Sequence, residues 1–345
     1  MGGELRLAIL GCGEITRLGH LPAAAAHPAV RVAWLIDSDV SRARSLAEYF
    51  HVDCQVASGY NPALHQVDAL INALPNHLHT PLNLEALNAG VHLLCEKPLS
   101  TTAADARLCC ELAEKKSLLL AVGMNRRFVG AHKLLPVVLR EGTLGELIDY
   151  DWSNGGVFDW NSASGFYFSR AQAGGGALID AAVHMLDSLM DWFGPVVQFD
   201  YQDDDWGSGI EANAILDLQH RGQFGVVKGR VRVSRTYPLP NRLLIRGTKA
   251  EAEVPLGAPD TVVIHRLAGE MRLLETLRLP DFENTSTFYR QLDNFVESIR
   301  VNQKLESDGW QALQVIGLIE QCYAKRRRIG EPWSEIALIP DGAVR

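Results

Sequence analysis

The stretch LRLAILGCGEIT, residues 5–16, decides how the rest of the chain is read. Its first six residues form a nearly continuous apolar run, the pattern of a strand buried on both faces. Gly11 follows at once, and Gly13 precedes a helix-like segment reaching residue 26. Glycine at the first position permits a tight turn. At the second it lets backbone N–H groups approach a pyrophosphate at a helix start. The sixth position, where Gly or Ala allows close helix packing, is instead Thr16, and a G-x-G alone is weak. Context strengthens it. The next apolar run, VRVAWLI (30–36), ends at Asp37, about two dozen residues past Gly13, near the spacing of an acid that binds a ribose hydroxyl. An acid there repels a 2'-phosphate and favours NAD over NADP, a preference that Arg42 would soften by swinging toward the ribose. The competing reading makes Asp37 an exposed loop acid.

The series continues through VDALINAL (67–74), VHLLCE (91–96) and LLLAVGM (118–124), with helix-like stretches at 39–50, 79–90 and 102–116. STTAAD (100–105) supplies a cap and NAG (88–90) a stop. Strand and helix alternating at this pace predict an α/β protein whose first domain, 1–124, is a Rossmann-like, doubly wound parallel sheet. The alternation then stops. A helix over 130–141 leads to extended stretches near 146–155, 196–203, 211–218, 223–233, 242–246, 261–267 and 272–279, and helices over 286–301 and 307–327 finish the chain. Strands in series with short turns predict a second domain, 125–345, built on an antiparallel sheet.

Composition fits. At 345 residues two cores are expected, and 47% hydrophobic with 21% charged residues is ordinary globular usage. A net charge of -8 argues against a general nucleic-acid binder. The basic run Lys325–Arg328, just before Gly330, reads as favourable charge at a helix end, and the acidic run Asp203–Asp205 as a solvated loop that could also meet an amino sugar. Six cysteines without a C-x-x-C pair suggest buried thiols and a reducing, cytoplasmic setting. The start MGGELRLAIL enters a strand pattern too early for a signal peptide, and no apolar run is long enough to span a bilayer.

Two further stretches carry chemistry. VHLLCEKPLS (91–100) is a buried strand that ends on Glu96, Lys97 and Pro98 with no turn residue between. Ligands of an open α/β sheet sit beyond the carboxyl ends of its strands, which is where this acid and base would stand; Pro98 restricts Lys97 to an extended conformation. In LIDAAVHMLD (178–187), Asp180, His184 and Asp187 are spaced four and three apart, on one face of a helix. A metal pair is one reading, but a third ligand at suitable spacing is lacking, so no metal is expected. A structural histidine is another. The third is a catalytic pair, Asp180 with His184, leaving Asp187 structural.

The segment ALPNHLHTPLNLEALNAGVHLLCEKPLS, with GCGEI, GMNRRF (123–128) and GGGALIDAAVHMLD (174–187), resembles the glucose-fructose oxidoreductase, inositol dehydrogenase and rhizopine-catabolism (Gfo/Idh/MocA) oxidoreductase family. The matches fall in both halves, in the expected order. The resemblance implies a dinucleotide-binding domain followed by an α/β domain with a large, open, mostly antiparallel sheet. It implies hydride transfer between nicotinamide and a hydroxyl- or keto-bearing carbon of a sugar, cyclitol or sugar derivative. Lys97, Asp180 and His184 would be catalytic, with the roles of Lys97 and His184 open to exchange, and the Lys97–Pro98 bond cis.

Cofactor contacts would come from Gly11, Gly13, Glu14 and Ile15, then from Asp37, Ser38 and Arg42. Leu74, Pro75, Asn76, His79, Glu96, Lys97 and Asn125 would complete them. On the substrate side stand Asp180 and His184, with Arg126, Trp160 and Tyr167; of Arg126 and Arg127 one would reach the cleft, and the aromatic rings either stack on a sugar or pack in the core. Gly, usual in the family two residues after the Asp, is here Ala182. NAD is the implied cofactor, with NADP the alternative. A homodimer or homotetramer is implied, joined through an open apolar sheet face, and no membrane partner. Two other activities share the scaffold: an NAD-dependent glycosidase working by transient oxidation and elimination, and a non-catalytic dinucleotide sensor.

Overall fold

The computed structural model describes residues 3–62, 65–205, 207–268, 271–279 and 285–329. Gly330 lies outside them. Two compact units divide the chain. One comprises Met1–Val129, Trp160–Gly174 and Pro280–Gly317; the other comprises Gly130–Asp159, Gly175–Leu279 and Leu318–Arg345.

The strands of the first unit are β1 (Leu5–Leu10), β2 (Val30–Ile36), β3 (Gln55–Ala57), β4 (Ala69–Asn72), β5 (His92–Cys95) and β6 (Leu120–Val122). Those of the second are β7 (Leu147–Gly155), β8 (Val196–Asp203), β9 (Asn213–Gly222), β10 (Gly225–Ser234), β11 (Arg242–Gly247), β12 (Ala250–Pro255), β13 (Thr261–Ala268), β14 (Met271–Arg278) and β15 (Arg327–Arg328). The helices are α1 (Leu21–Ala26), α2 (Val40–Tyr49), α3 (His79–Asn88), α4 (Ala103–Lys115), α5 (Gly130–Arg140), α6 (Arg170–Ala173), α7 (Val183–Phe193), α8 (Thr287–Val301) and α9 (Gly309–Ala324).

In the first unit the sheet is wholly parallel, in the order β3-β2-β1-β4-β5-β6. The order reverses between β1 and β4, where loops diverge at the carboxyl edge and leave a crevice. Local chemistry starts the helices where the sequence predicts: Asp39 accepts the N–H groups of Ser41 and Arg42, and Thr102 that of Asp105. Helix α8 packs Leu292, Phe295 and Val296 into the same core as Leu7, Ile9 and Leu35.

The second unit's sheet has nine strands in the order β14-β13-β12-β11-β7-β10-β9-β8-β15. It is mixed: β10–β7 and β15–β8 are parallel and the other pairs antiparallel. Along β7, Tyr150 and Trp152 are buried while Asp149 and Asp151 are part-exposed. The outward row is charged. Arg230–Asp217 (2.8 Å), Arg232–Asp151 (3.1 Å), Arg246–Asp149 (2.6 Å) and His265–Glu253 (3.1 Å) tie neighbouring strands. The face that the resemblance made apolar thus carries these ion pairs as well as exposed Val226 and Leu274.

Both charge runs also differ from expectation. Asp203 and Asp205 are buried, not solvated, and both pair with Arg326; Asp204 accepts the N–H groups of Ala212 and Asn213. Of the basic run, Lys325 closes the end of α9, Arg326 is held by those buried carboxylates, and Arg327–Arg328 form β15 beside β8. Among the described residues no helix is long and apolar enough to cross a membrane.

Candidate active site

Gly11 leaves β1 with φ of 87°, and a Cβ there would lie 2.5 Å from the Ala73 carbonyl oxygen, so this turn excludes a side chain. Over Gly13 no atom lies within 4 Å of where a Cβ would sit. The helix opens at Glu14, and the N–H groups of a first turn lack intrahelical partners. Open ground at a helix N-terminus suits a phosphate, which fits the dinucleotide implied by the sequence. Thr16 is fully buried and its Oγ1 donates to the Gly11 carbonyl at 2.6 Å, closing the loop on itself. That bond is what the fingerprint's missing sixth glycine is exchanged for.

Asp37 is not an exposed loop acid; it is 6% exposed. Its Oδ2 accepts the Cys12 N–H at 2.8 Å, its Oδ1 the Asp39 N–H at 2.8 Å, and Arg42 Nη1 lies 3.2 Å from both oxygens. The acid thus braces the glycine loop, and Arg42 is turned toward it. Ser38 beside it is exposed; Ile15 is half-buried. Glu14 accepts from Arg17 Nε at 2.9 Å, and that bond holds its carboxyl below the ordinary value.

Past β4, Leu74 and Pro75 are half-buried, and buried Asn76 donates to the Ala173 carbonyl at 2.8 Å. His79 is fully buried, with Nδ1 2.7 Å from the Pro98 carbonyl and Nε2 2.7 Å from the Leu74 carbonyl, so it ties the loops after β4 and β5 together. Burial pulls its pKa below the ordinary imidazole value.

The adjacent acid and base after β5 part company. Glu96 turns inward: its Oε1 lies 2.7 Å from His20 Nε2 and its Oε2 accepts the Lys97 N–H at 3.1 Å. Burial raises the Glu96 carboxyl, and the hydrogen bond and charge of His20, with the charge of Lys97, outweigh it and leave the pKa lowered. Lys97 stays half-buried, and its bond to Pro98 is cis. Beyond β6, Asn125 opens a short 3-10 turn to Phe128. Arg127 is buried and donates to the Glu306 carbonyl at 2.8 Å, so it is internal, while Arg126 Nη1 is shut off from solvent with no hydrogen-bond partner among the described residues. Trp160 is 37% exposed and Tyr167 half-buried, its ring 4.0 Å from that of Phe166. Neither belongs to the core.

In the second unit, Asp180 lies in a π-helical turn, Leu178–Ala182, that continues into α7 with His184. Both are part-exposed, whereas Asp187 is buried and Ala182 fully so; its extra methyl packs. The glycines before this helix meet a buried acid. Glu211 accepts the N–H groups of Gly176 (3.0 Å) and Leu178 (2.8 Å) and the Tyr323 hydroxyl (2.9 Å). A Cβ on Gly176 would overlap the Glu211 carbonyl oxygen. Burial raises the Glu211 carboxyl above its ordinary value. Asp180 is ion-paired with Arg235, whose guanidinium also stands 4.5 Å from the Phe158 ring centre. Sequence reading missed Arg235, Glu211 and His20. Only the position of Arg235 at the end of an alternating strand hinted at it. Among the described residues no group of three His, Cys, Asp or Glu is placed to hold a metal.

A family model described as an oxidoreductase family, NAD-binding Rossmann fold, matches residues 5–124, and its C-terminal alpha/beta domain matches 138–330. The chain belongs to the GFO/IDH/MocA oxidoreductase family. Two of its relatives are named for work on sugars. It is 32% identical to the dTDP-3,4-didehydro-2,6-dideoxy-alpha-D-glucose 3-reductase of Streptomyces antibioticus over 56% of this chain and 58% of that protein. It is 32% identical to the D-glucoside 3-dehydrogenase of Escherichia coli K12 over 54% of this chain and 53% of that one. The matched segments thus span little more than half of either relative. A levoglucosan dehydrogenase in complex with NADH and levoglucosan shares this member's fold, with a TM-score of 0.81, 20% identity and coverage of 94% of this chain and 98% of that one. The first unit of this family member therefore carries a NAD-binding Rossmann domain.

Proposed function

We propose that this oxidoreductase transfers a hydride between NAD and a hydroxyl- or keto-bearing carbon of a sugar, cyclitol or sugar derivative. The observation that carries the reading is the part-exposed pair Asp180 and His184, at the head of a helix pinned by Glu211, in a chain that presents Lys97 at the carboxyl edge of a NAD-binding sheet. The relatives named above are a reductase and a dehydrogenase of sugars, which favours redox chemistry over a glycosidase or a sensor.

NAD, when bound, supplies the hydride acceptor or donor. Gly11, Gly13, Glu14 and Ile15 would hold its phosphates, Asp37, Ser38 and Arg42 its ribose, and Leu74, Pro75, Asn76, Glu96 and Asn125 its nicotinamide end, with fully buried His79 holding the loops that carry them rather than touching the cofactor. Lys97, a cation at that edge, stabilises negative charge developing on the reacting oxygen. His184 accepts the hydroxyl proton in oxidation and returns one in reduction, histidine being the side chain that titrates nearest neutrality. Asp180, fixed by Arg235, orients His184 or a neighbouring hydroxyl. Arg126, Trp160 and Tyr167 face the substrate. In this reading residues 1–124 bind the dinucleotide, and 125–345 bind the substrate and assemble a homodimer or homotetramer.

A panel of sugars, inositols, sugar acids and nucleotide sugars, followed by nicotinamide absorbance with NAD and with NADP, tests the activity and the expected preference for NAD. Lys97→Ala lowers kcat by roughly 10² or more. His184→Asn removes the near-neutral limb of the pH–rate profile if His184 carries the proton. A near-normal rate in Lys97→Ala rejects the assignment.

A further inference from the structure

His20 closes the turn Thr16–His20 that follows the glycine loop, and its ring is 3% exposed. Its Nε2 lies 2.7 Å from Glu96 Oε1, although 76 positions separate the two residues. The ring also meets Phe288 of α8 edge-on, with centres 5.1 Å apart at 82°, and a Cβ on the neighbouring Gly19 would strike that same phenylalanine. Packing therefore holds the imidazole against the carboxylate.

Glu96 is confined on its other sides as well. Its N–H donates to the Asn72 carbonyl at 2.8 Å, its Oε2 accepts the Lys97 N–H at 3.1 Å, and a Cβ on Gly123 would come within 2.8 Å of its carboxyl group. Lys97 is the next residue; buried His79 and buried Cys95 also feel the Glu96 charge, and burial keeps both of them uncharged. Burial pushes the Glu96 carboxyl up, and the hydrogen bond and charge of His20 do most to bring it below its ordinary value. An ionised carboxylate accepts the Lys97 N–H more strongly than a protonated one does.

We propose that His20 is a positioning residue of the redox site: by holding the Glu96 carboxylate in place, it fixes the backbone that presents Lys97 at the carboxyl edge of the sheet. The inference rests on the redox reading above and deepens it.

A double-mutant cycle on the NAD-loaded protein tests it, with His20→Leu and His20→Gln made both alone and together with Glu96→Gln. Turnover is measured from about pH 5 to 8 on the panel sugar that the wild type converts fastest. At pH 7 His20→Leu lowers kcat at least about 10-fold. In the Glu96→Gln background the same change costs under about 2-fold, because the path to Lys97 is already cut. His20→Leu also gains an acid limb above pH 4.5, since burial then prevails at Glu96, and that limb is absent from every Glu96→Gln protein. His20→Gln supplies the hydrogen bond without the charge, so it recovers part of kcat and keeps a weaker limb. It carries the test where His20→Leu does not fold.

Additive losses overturn the proposal, as does a His20 variant with lowered Tm, full kcat and no acid limb; wild-type turnover then leaves the redox reading standing. A wild type that converts no sugar rejects the redox reading, and NADH fluorescence judges His20 by itself. His20→Leu then weakens NADH binding at least about 3-fold unless Glu96 is already Gln. Equal weakening in both backgrounds, or none, overturns the proposal.

Discussion

At Glu96, burial and charge pull in opposite directions, and the hydrogen bond to His20 with the neighbouring cation decides the outcome: the carboxyl stays ionised below its ordinary value of 4.5. An unfolded chain therefore takes up more protons than the folded one as the pH falls through that range. The stability this carboxylate contributes is present in full above about pH 4.5 and is lost as the pH drops through the lower folded value. Glu96→Gln consequently destabilises the protein more at pH 7 than at pH 4 in urea unfolding. An equal loss at both would show that ionisation of Glu96 is not what matters. Residues were legible to different degrees. Gly11 and Lys97 announced themselves by position. Thr16 looked like a defect in the fingerprint until its hydroxyl was found on the Gly11 carbonyl, and Arg235 could not be paired with Asp180 from sequence, 55 positions away being beyond any helical or strand period.

The helix that carries Asp180 and His184 depends on contacts made before it begins. Gly176 has no room for a side chain against the Glu211 backbone, while the Glu211 carboxylate caps the N–H groups of Gly176 and Leu178. Gly176→Ala must push the Glu211 loop and the start of the helix apart, at a cost of about 1–3 kcal/mol. Thermal unfolding shows the loss, and kcat falls with it because Asp180 moves; a variant with unchanged Tm and kcat would place the helix start elsewhere. The π turn at Asp180 was invisible in a spacing that fits an ordinary helix. Strand β12 escaped prediction for a different reason. Four of its six residues, AEAE, favour helices, and only pairing with β11 and β13 makes it a strand, with Ala252 inward and Glu253 outward. Strand β3, three residues long, carries too short a pattern to register.

Over the whole molecule, the charge on the outward face of the nine-stranded sheet bears on assembly. Pairs such as Arg230–Asp217 and Arg246–Asp149 are exposed, so a copy docking there would meet charge beside the apolar side chains of Val226 and Leu274. Surface pairs weaken as salt shortens the screening length from about 8 Å at 0.15 M to 3 Å at 1 M, whereas an apolar joint tightens. Sedimentation at low and high salt should therefore find a homodimer or homotetramer that dissociates at 1 M. A mass that does not change would place the joint on another surface.

The Rossmann half was readable in the sequence because each strand, glycine turn and helix is contiguous, so its periodicity and turn chemistry are local properties. The Gfo/Idh/MocA motifs added the positions of Lys97, Asp180 and His184 on the same terms. Only the tertiary structure decided that α8 returns to the first sheet's core, that Arg326 belongs to Asp203 and Asp205, and that Asp180 is held by Arg235. Those partners lie far apart along the chain, and burial and charge select them only once the backbone has brought them together.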